Sequence, residues 1–172
     1  LETLSQPVLH ALVWLEQVLR SSPWWAVVVV TVAIAWLVSR RIGLSLAMGA
    51  LLCVIGVLGL WDAGMQTLAL MIMAAGLSVV IGIPLGVLMA RVNWLRSLML
   101  PVLDVMQTMP SFVYLIPVVM LFGLGKIPAI IATVIYAVPP LIRLTDLGIR
   151  LVDREVLEAS RAFGANPRQQ LF

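Results

Sequence analysis

Apolar residues run through this 172-residue chain in six blocks separated by short polar breaks, and the length and periodicity of each block predict its element. Residues 6–20 predict an amphipathic helix with Pro7 in its first turn. His10, Gln17 and Arg20 line a narrow polar face, while Val8, Leu9, Leu12, Leu15 and Leu19 cover much of the rest. A helix of this kind lies on a membrane rather than crossing it. Ser21-Ser22-Pro23 ends it. Residues 24–38 predict a first span, short against the roughly 20 residues a bilayer asks for. Trp24 and Trp25 at one end and Trp36 at the other sit where amphipathic rings prefer the headgroup level. Arg40-Arg41 makes a tight polar connection to a second span, 42–61, which is rich in Gly and Ala and is ended by Asp62.

The third span, 63–90, is too long to cross upright and contains Pro84, so tilt or a kink is expected. Ala74, Ser78, Gly82, Gly86 and Ala90 recur every four residues, a stripe of small side chains that lets another helix backbone approach closely. The stripe reads as ordinary membrane-helix packing; a functional version is a smooth surface along which helices slide during gating. Arg91 and Arg96 flank the next connection. The block 98–124 then holds Pro101, Pro110 and Pro117, each of which removes a backbone donor and breaks or kinks the helix. Irregular backbone at membrane depth survives only where it is buried in protein or lines a watery cavity. Asp104, Thr108 and Ser111 stand at i, i+4 and i+7 on one face of this block, with Gln107 beside them and Tyr114 following. The last span, 127–144, is expected to be broken by Pro139-Pro140.

Beyond it the chain turns polar. Asp153 caps a short helix carrying Glu155 and Glu158, Gly164 supplies a left-handed stop, and Asn166-Pro167 opens a second short helix. Two short helices meeting at a glycine just past a span form a knob that another protein can grip.

Hydrophobic residues make up 62% of the chain and charged ones 11%, and the mean hydropathy is +1.11. Soluble domains carry about half apolar and a quarter charged residues, so this is an integral membrane protein. The fold class expected is all-α, with five transmembrane helices, an N-terminal interfacial helix and a short terminal helix. The pI of 9.8 comes from a small excess of arginine and implies no nucleic-acid partner. Cys53, the only cysteine, reads as a small buried hydrophobe, and no second ligand type accompanies His10. No Ser/His/Asp set, phosphate-binding glycine loop or metal-ligand cluster is present in the sequence.

With five spans, Arg40, Arg41, Arg91, Arg96, Arg143, Arg150, Arg154, Arg161 and Arg168 fall on one side and only Arg20 and Lys126 on the other. The positive-inside rule makes the arginine-rich side cytoplasmic. The polar knob therefore faces the cytoplasm and the N-terminal amphipathic helix faces outward.

The segment E-A-S-R-A-F-G at 158–164 resembles the EAA loop of permease subunits in bacterial ABC importers, with serine where alanine is commoner. The stretches L-P-V-L-D-V-M-Q-T-M-P-S-F-V-Y-L-I-P-V-V-M-L-F-G-L-G at 100–125 and A-V-P-P-L-I-R-L-T at 137–145 resemble the glycine betaine/proline betaine permease family. The likeness covers roughly 63–172 and is loose before Trp61. It implies a type I ABC importer permease fold, here incomplete. The implied layout is an external amphipathic segment at 1–22, two peripheral transmembrane helices at 23–62, and a permease core at 63–172.

By the same resemblance, Glu158, Ala159, Ser160 and Gly164 form a coupling helix that sits in a groove of a cytoplasmic ABC ATPase subunit. It implies a permease homodimer and an external substrate-binding protein in a bacterial inner membrane. ATP and Mg belong to the partner ATPase, so the chain itself needs no cofactor and is not an enzyme. The substrates implied are the quaternary ammonium osmoprotectants glycine betaine, proline betaine, choline and carnitine, with the aromatic cage that selects them on the binding protein. In the family an I-x-L-P element and further spans follow the loop glycine, whereas only eight residues follow Gly164 here; with no initiator Met and no basic signal region at the start, the chain is expected to be part of a longer permease.

Two readings of the stripe Asp104, Gln107, Thr108, Ser111 and Tyr114 stay open. These groups satisfy backbone polar groups freed by Pro101 and Pro110, or they line the path of a cationic or zwitterionic solute. A carrier driven by an ion gradient, with Asp104 titrating, is a rival to ATP-driven import, and a membrane anchor without transport is a third reading.

Overall fold

A bilayer offers no water to its interior, so each backbone N–H and C=O must be satisfied within the protein, and this oily chain meets that demand with helices. The computed structural model describes residues 2–166, and every regular element among them is α-helical: α1 (Glu2–Ser21), α2 (Trp24–Ser39), α3 (Ile42–Val57), α4 (Trp61–Arg91), α5 (Asn93–Thr108), α6 (Phe112–Phe122), α7 (Lys126–Arg150) and α8 (Arg154–Ala162). The chain divides into two compact units within α4, after Met73.

In the first unit α1 meets α2 at 107°, close to the right angle that lays α1 in the membrane plane when α2 follows the bilayer normal. His10 and Gln17 are exposed as expected, but Arg20 is engaged: its Nε donates to Asp62 Oδ1 at 3.0 Å and its Nη1 lies 3.6 Å from the buried Glu16. Asp62 therefore belongs to the first turn of α4 and not to the end of α3. The second span closes earlier than its apolar run predicts, at Val57, because Gly59 turns the chain with φ +72°. Arg40 makes the predicted tight link between α2 and α3, at φ 54° with its N–H donating to Trp36 O at 2.8 Å. Gly49 lets α3 close on α2, since a Cβ there would lie 2.6 Å from Val32 Cγ2. The α3 face against α2 is built on Ser45 and Gly49, and Cys53 beyond them is exposed, contrary to its reading as a buried hydrophobe.

In the second unit the small-residue stripe of α4 is a packing surface, with Ala74, Ser78, Gly82 and Gly86 all buried. Gly82 abuts Leu141, and Gly86 abuts Thr145 and the Ile142 carbonyl, so α7 lies directly on α4. Met89, Leu103 and Ile142 form a buried cluster joining α4, α5 and α7.

The five predicted spans are redistributed. Among the described residues only α4 and α7 are long and apolar enough to cross a bilayer alone; α2 and α3 have 16 residues each, about 24 Å against a hydrocarbon core of about 30 Å. By length and composition the described residues supply two spanning helices, and up to four where the bent pairs α1–α2 and α5–α6 each count as one. Of the prolines, Pro139-Pro140 acts differently from expectation, while the break expected in 98–124 falls at Pro110. Pro84, Pro101, Pro117, Pro139 and Pro140 lie inside unbroken helices, so α7 runs through Pro139-Pro140 without interruption. Pro110 alone among these separates two helices, α5 and α6, which meet at 90°. What distinguishes it is Met109, which adopts the extended backbone (φ −75°, ψ 135°) that a residue preceding proline prefers.

Candidate coupling helix and translocation path

Three residues separate the end of α7 from the start of helix α8, which is capped at both ends by its own sequence. Asp153 Oδ1 accepts the Glu155 N–H at 3.0 Å, satisfying one of the first-turn donors, and Glu155 adds negative charge where the helix dipole favours it. At the other end Gly164 takes φ +81°, the Phe163 N–H donates to Ala159 O at 3.1 Å, and the Ala165 N–H donates to Ser160 O at 3.0 Å. That is the reversal a left-handed glycine permits after a helix. Glu158, Ala159 and Gly164 are exposed and Ser160 is half-buried. Around them Leu151, Val152, Val156 and Phe163 also expose apolar surface, Phe163 to 93%. A short capped helix that exposes apolar side chains offers a surface that a protein groove can cover. Of the second short helix, Pro167 onward lies outside the described residues.

The five stripe residues do not share one face. Asp104, Gln107 and Thr108 are on α5, Ser111 stands in the bend, and Tyr114 is on α6, because the helical periodicity assumed across 104–111 ends at Met109. The Thr108 hydroxyl donates to Val105 O at 3.0 Å, a local bond within its own helix. The Tyr114 hydroxyl donates to Met106 O at 2.8 Å. In a continuing helix that carbonyl takes the N–H of residue 110, which is proline, so Tyr114 supplies the donor that Pro110 lacks. Gln107 and Ser111 are exposed on the surface of the chain. Asp104 is bound to Arg143 of α7, whose Nη2 donates to Asp104 Oδ1 and also reaches Leu100 O at 3.4 Å.

A second charged cluster, centred on Asp146, escapes the sequence reading, which treats Arg96 and Arg150 only as markers of orientation. Asp146 on α7 is buried, 3% exposed. Its Oδ2 accepts from Arg96 Nε at 3.0 Å and its Oδ1 from Arg150 Nε at 2.8 Å. Arg150 Nη2 further donates to Asn93 Oδ1 at 3.1 Å and to Met89 O at 3.3 Å, one of the carbonyls that the end of α4 leaves without a helical donor. One aspartate thus fastens the C-terminal ends of α4 and α7 to the start of α5. The i, i+4 spacing of Asp146 and Arg150 is the one sequence signal that points to it.

The sequence profile of the family described as "Binding-protein-dependent transport system inner membrane component" matches residues 82–172, more than half of the chain and all of the α5–α8 region just described. The chain belongs to this family. Individual relatives agree. It is 46% identical over 166 residues to the glycine betaine/proline betaine transport system permease protein ProW of Escherichia coli (strain K12), covering 96% of this chain and 47% of that protein. It is 43% identical over 145 residues to the glycine betaine transport system permease protein OpuAB of Bacillus subtilis (strain 168), covering 84% of this chain and 51% of that protein. The choline transport system permease protein OpuBB of the same organism is 34% identical over 106 residues, 62% of this chain and 49% of that protein. The chain spans about half the length of these relatives. Membership of an inner-membrane transport family accords with the apolar helices and makes this a multi-pass membrane protein.

Proposed function

We propose that this chain forms the membrane path of an ATP-driven importer for glycine betaine and related quaternary ammonium osmoprotectants, with α8 as its contact to a cytoplasmic ATPase subunit. The observation that carries the proposal is α8 itself, capped by Asp153 and Gly164 within the family-matched region and presenting Glu158, Ala159 and exposed apolar side chains to a partner. On the five-span reading of the sequence, the excess of arginine on the α8 side supports a cytoplasmic location for this helix and an outward location for α1. ATP and Mg are bound by the ATPase, an external binding protein delivers the solute, and two copies of the permease enclose the path.

The test is reconstitution of the native gene product in vesicles with its ATPase and binding protein. Uptake of labelled glycine betaine is expected only with ATP. Uptake driven by an ion gradient without ATP, or no uptake under either condition, overturns the proposal.

A further inference from the structure

We propose that the Asp104–Arg143 pair is a charge-exchange site selective for zwitterions, which a solute carrying both a quaternary ammonium and a carboxylate opens by taking one partner with each of its charges. The inference rests on the transport reading above and specifies the chemical form of the cargo.

The geometry is that of an incompletely used pair. Arg143 reaches Asp104 through Nη2 alone and divides that group between Asp104 Oδ1 and the Leu100 carbonyl. Its Nε is buried and has no acceptor among the described residues. A guanidinium is built to hold a carboxylate by two parallel N–H bonds, so a carboxylate presented to both Nε and Nη2 makes a stronger contact than Asp104 makes here. Asp104 is the accessible member, with its side chain 63% exposed against 31% for Arg143. An approaching solute therefore meets the carboxylate first, through its cationic end.

Charge balance then sets the selectivity. Asp104 and Arg143 sum to zero, and so does a zwitterion. Exchange of partners converts one internal pair into two mixed pairs and leaves no charge unmatched. A cation without a carboxylate engages Asp104 but strands Arg143, and an anion strands Asp104. Arg143 is the less exposed partner and its Nε is buried, so stranding it is disfavoured and a cation without a carboxylate is rejected. When the solute leaves, the two side chains pair again, which keeps binding weak enough for passage.

The test uses the native gene product in nanodiscs, without ATPase or binding protein, probed by saturation-transfer NMR with glycine betaine and with choline. Choline carries the same trimethylammonium group without the carboxylate. Transfer is expected to be stronger for glycine betaine, and Arg143→Gln and Asp104→Asn are each expected to lower it about tenfold, the loss of one charge-assisted contact. Arg143→Lys keeps the charge without the fork and is expected to retain part of the signal. The double variant Asp104→Asn/Arg143→Gln keeps a hydrogen-bonding pair between α5 and α7. Wild-type helical circular dichroism and elution together with a lost signal in this variant separate loss of the site from unfolding.

Equal transfer for the two solutes in the wild type, or a glycine betaine signal that survives in the double variant, overturns the site. ATP-driven uptake by the wild-type transporter, with no transfer to the isolated permease, overturns the site and leaves the transport role standing. Absence of uptake overturns the transport role itself.

Discussion

The hydroxyl of Tyr114 donates to the carbonyl of Met106 at 2.8 Å, standing in for the N–H that Pro110 does not have. One side chain on α6 thus satisfies the end of α5 and holds the two helices across their 90° bend. Tyr114→Phe keeps the ring and removes only the donor. It is expected to cost about 1 kcal/mol, the net worth of a typical hydrogen bond. A lowered thermal midpoint of the purified protein checks this, and an unchanged midpoint shows that the bend is held by packing alone.

Asp146→Ala takes the common acceptor from Arg96 and Arg150. Removing one partner of a buried pair costs about 3–5 kcal/mol, and the low end is expected because both arginines are partly open to solvent. Arg150 also loses the anchor that holds it at Asn93 and Met89 O. Proteolysis at the link between α4 and α5 is expected to speed up, whereas Asp146→Asn, which keeps an acceptor, has the smaller effect.

Gly86 sits where a Cβ would lie 2.5 Å from Thr145 Cβ and 2.8 Å from the Ile142 carbonyl. Backbone cannot yield as a flexible side-chain tip can, so Gly86→Val forces α4 and α7 apart. The expected cost is about 1–3 kcal/mol, the range for overpacking. Gly76, with open space at its Cβ position, is the control, and Gly76→Ala is expected to leave stability within about 0.5 kcal/mol of wild type. Denaturant titrations of the two variants in one detergent decide the matter.

Gly164→Val places a β-branched residue at φ +81°, a conformation that costs an L residue about 1 kcal/mol or more. The end of α8 is expected to unwind while the membrane helices stay folded. The readout is ATP hydrolysis by the associated ATPase measured beside uptake: hydrolysis disconnected from uptake, or release of the ATPase, is expected. Normal values of both would remove the coupling role from this turn.

What the sequence makes legible here is local. Asp153 and Gly164 bound α8 because a cap needs only the residues within one turn of it, and the four-residue recurrence of Ser78, Gly82 and Gly86 marks a close helix contact without naming the partner. The pairing of Asp104 with Arg143 spans 39 residues, and no periodicity connects them. Asp146 lies near the end of an apolar run where an acidic residue looks unremarkable until Arg96 arrives from another helix. The prolines mislead for a different reason. Removing one donor does not decide whether a helix breaks; the conformation of the preceding residue and the presence of a substitute donor such as Tyr114 do, and both are set by tertiary contacts.

The two charged contacts between α5 and α7 run in opposite senses, acid on α5 to base on α7 at Asp104–Arg143 and base on α5 to acid on α7 at Arg96–Asp146. Arg143 and Asp146 are three residues apart, about 4.5 Å along α7. A lengthwise slide of α7 pulls on both of these contacts at once. The helix is keyed: its smooth contact with Gly82 and Gly86 would tolerate a glide, but its two charged contacts resist one.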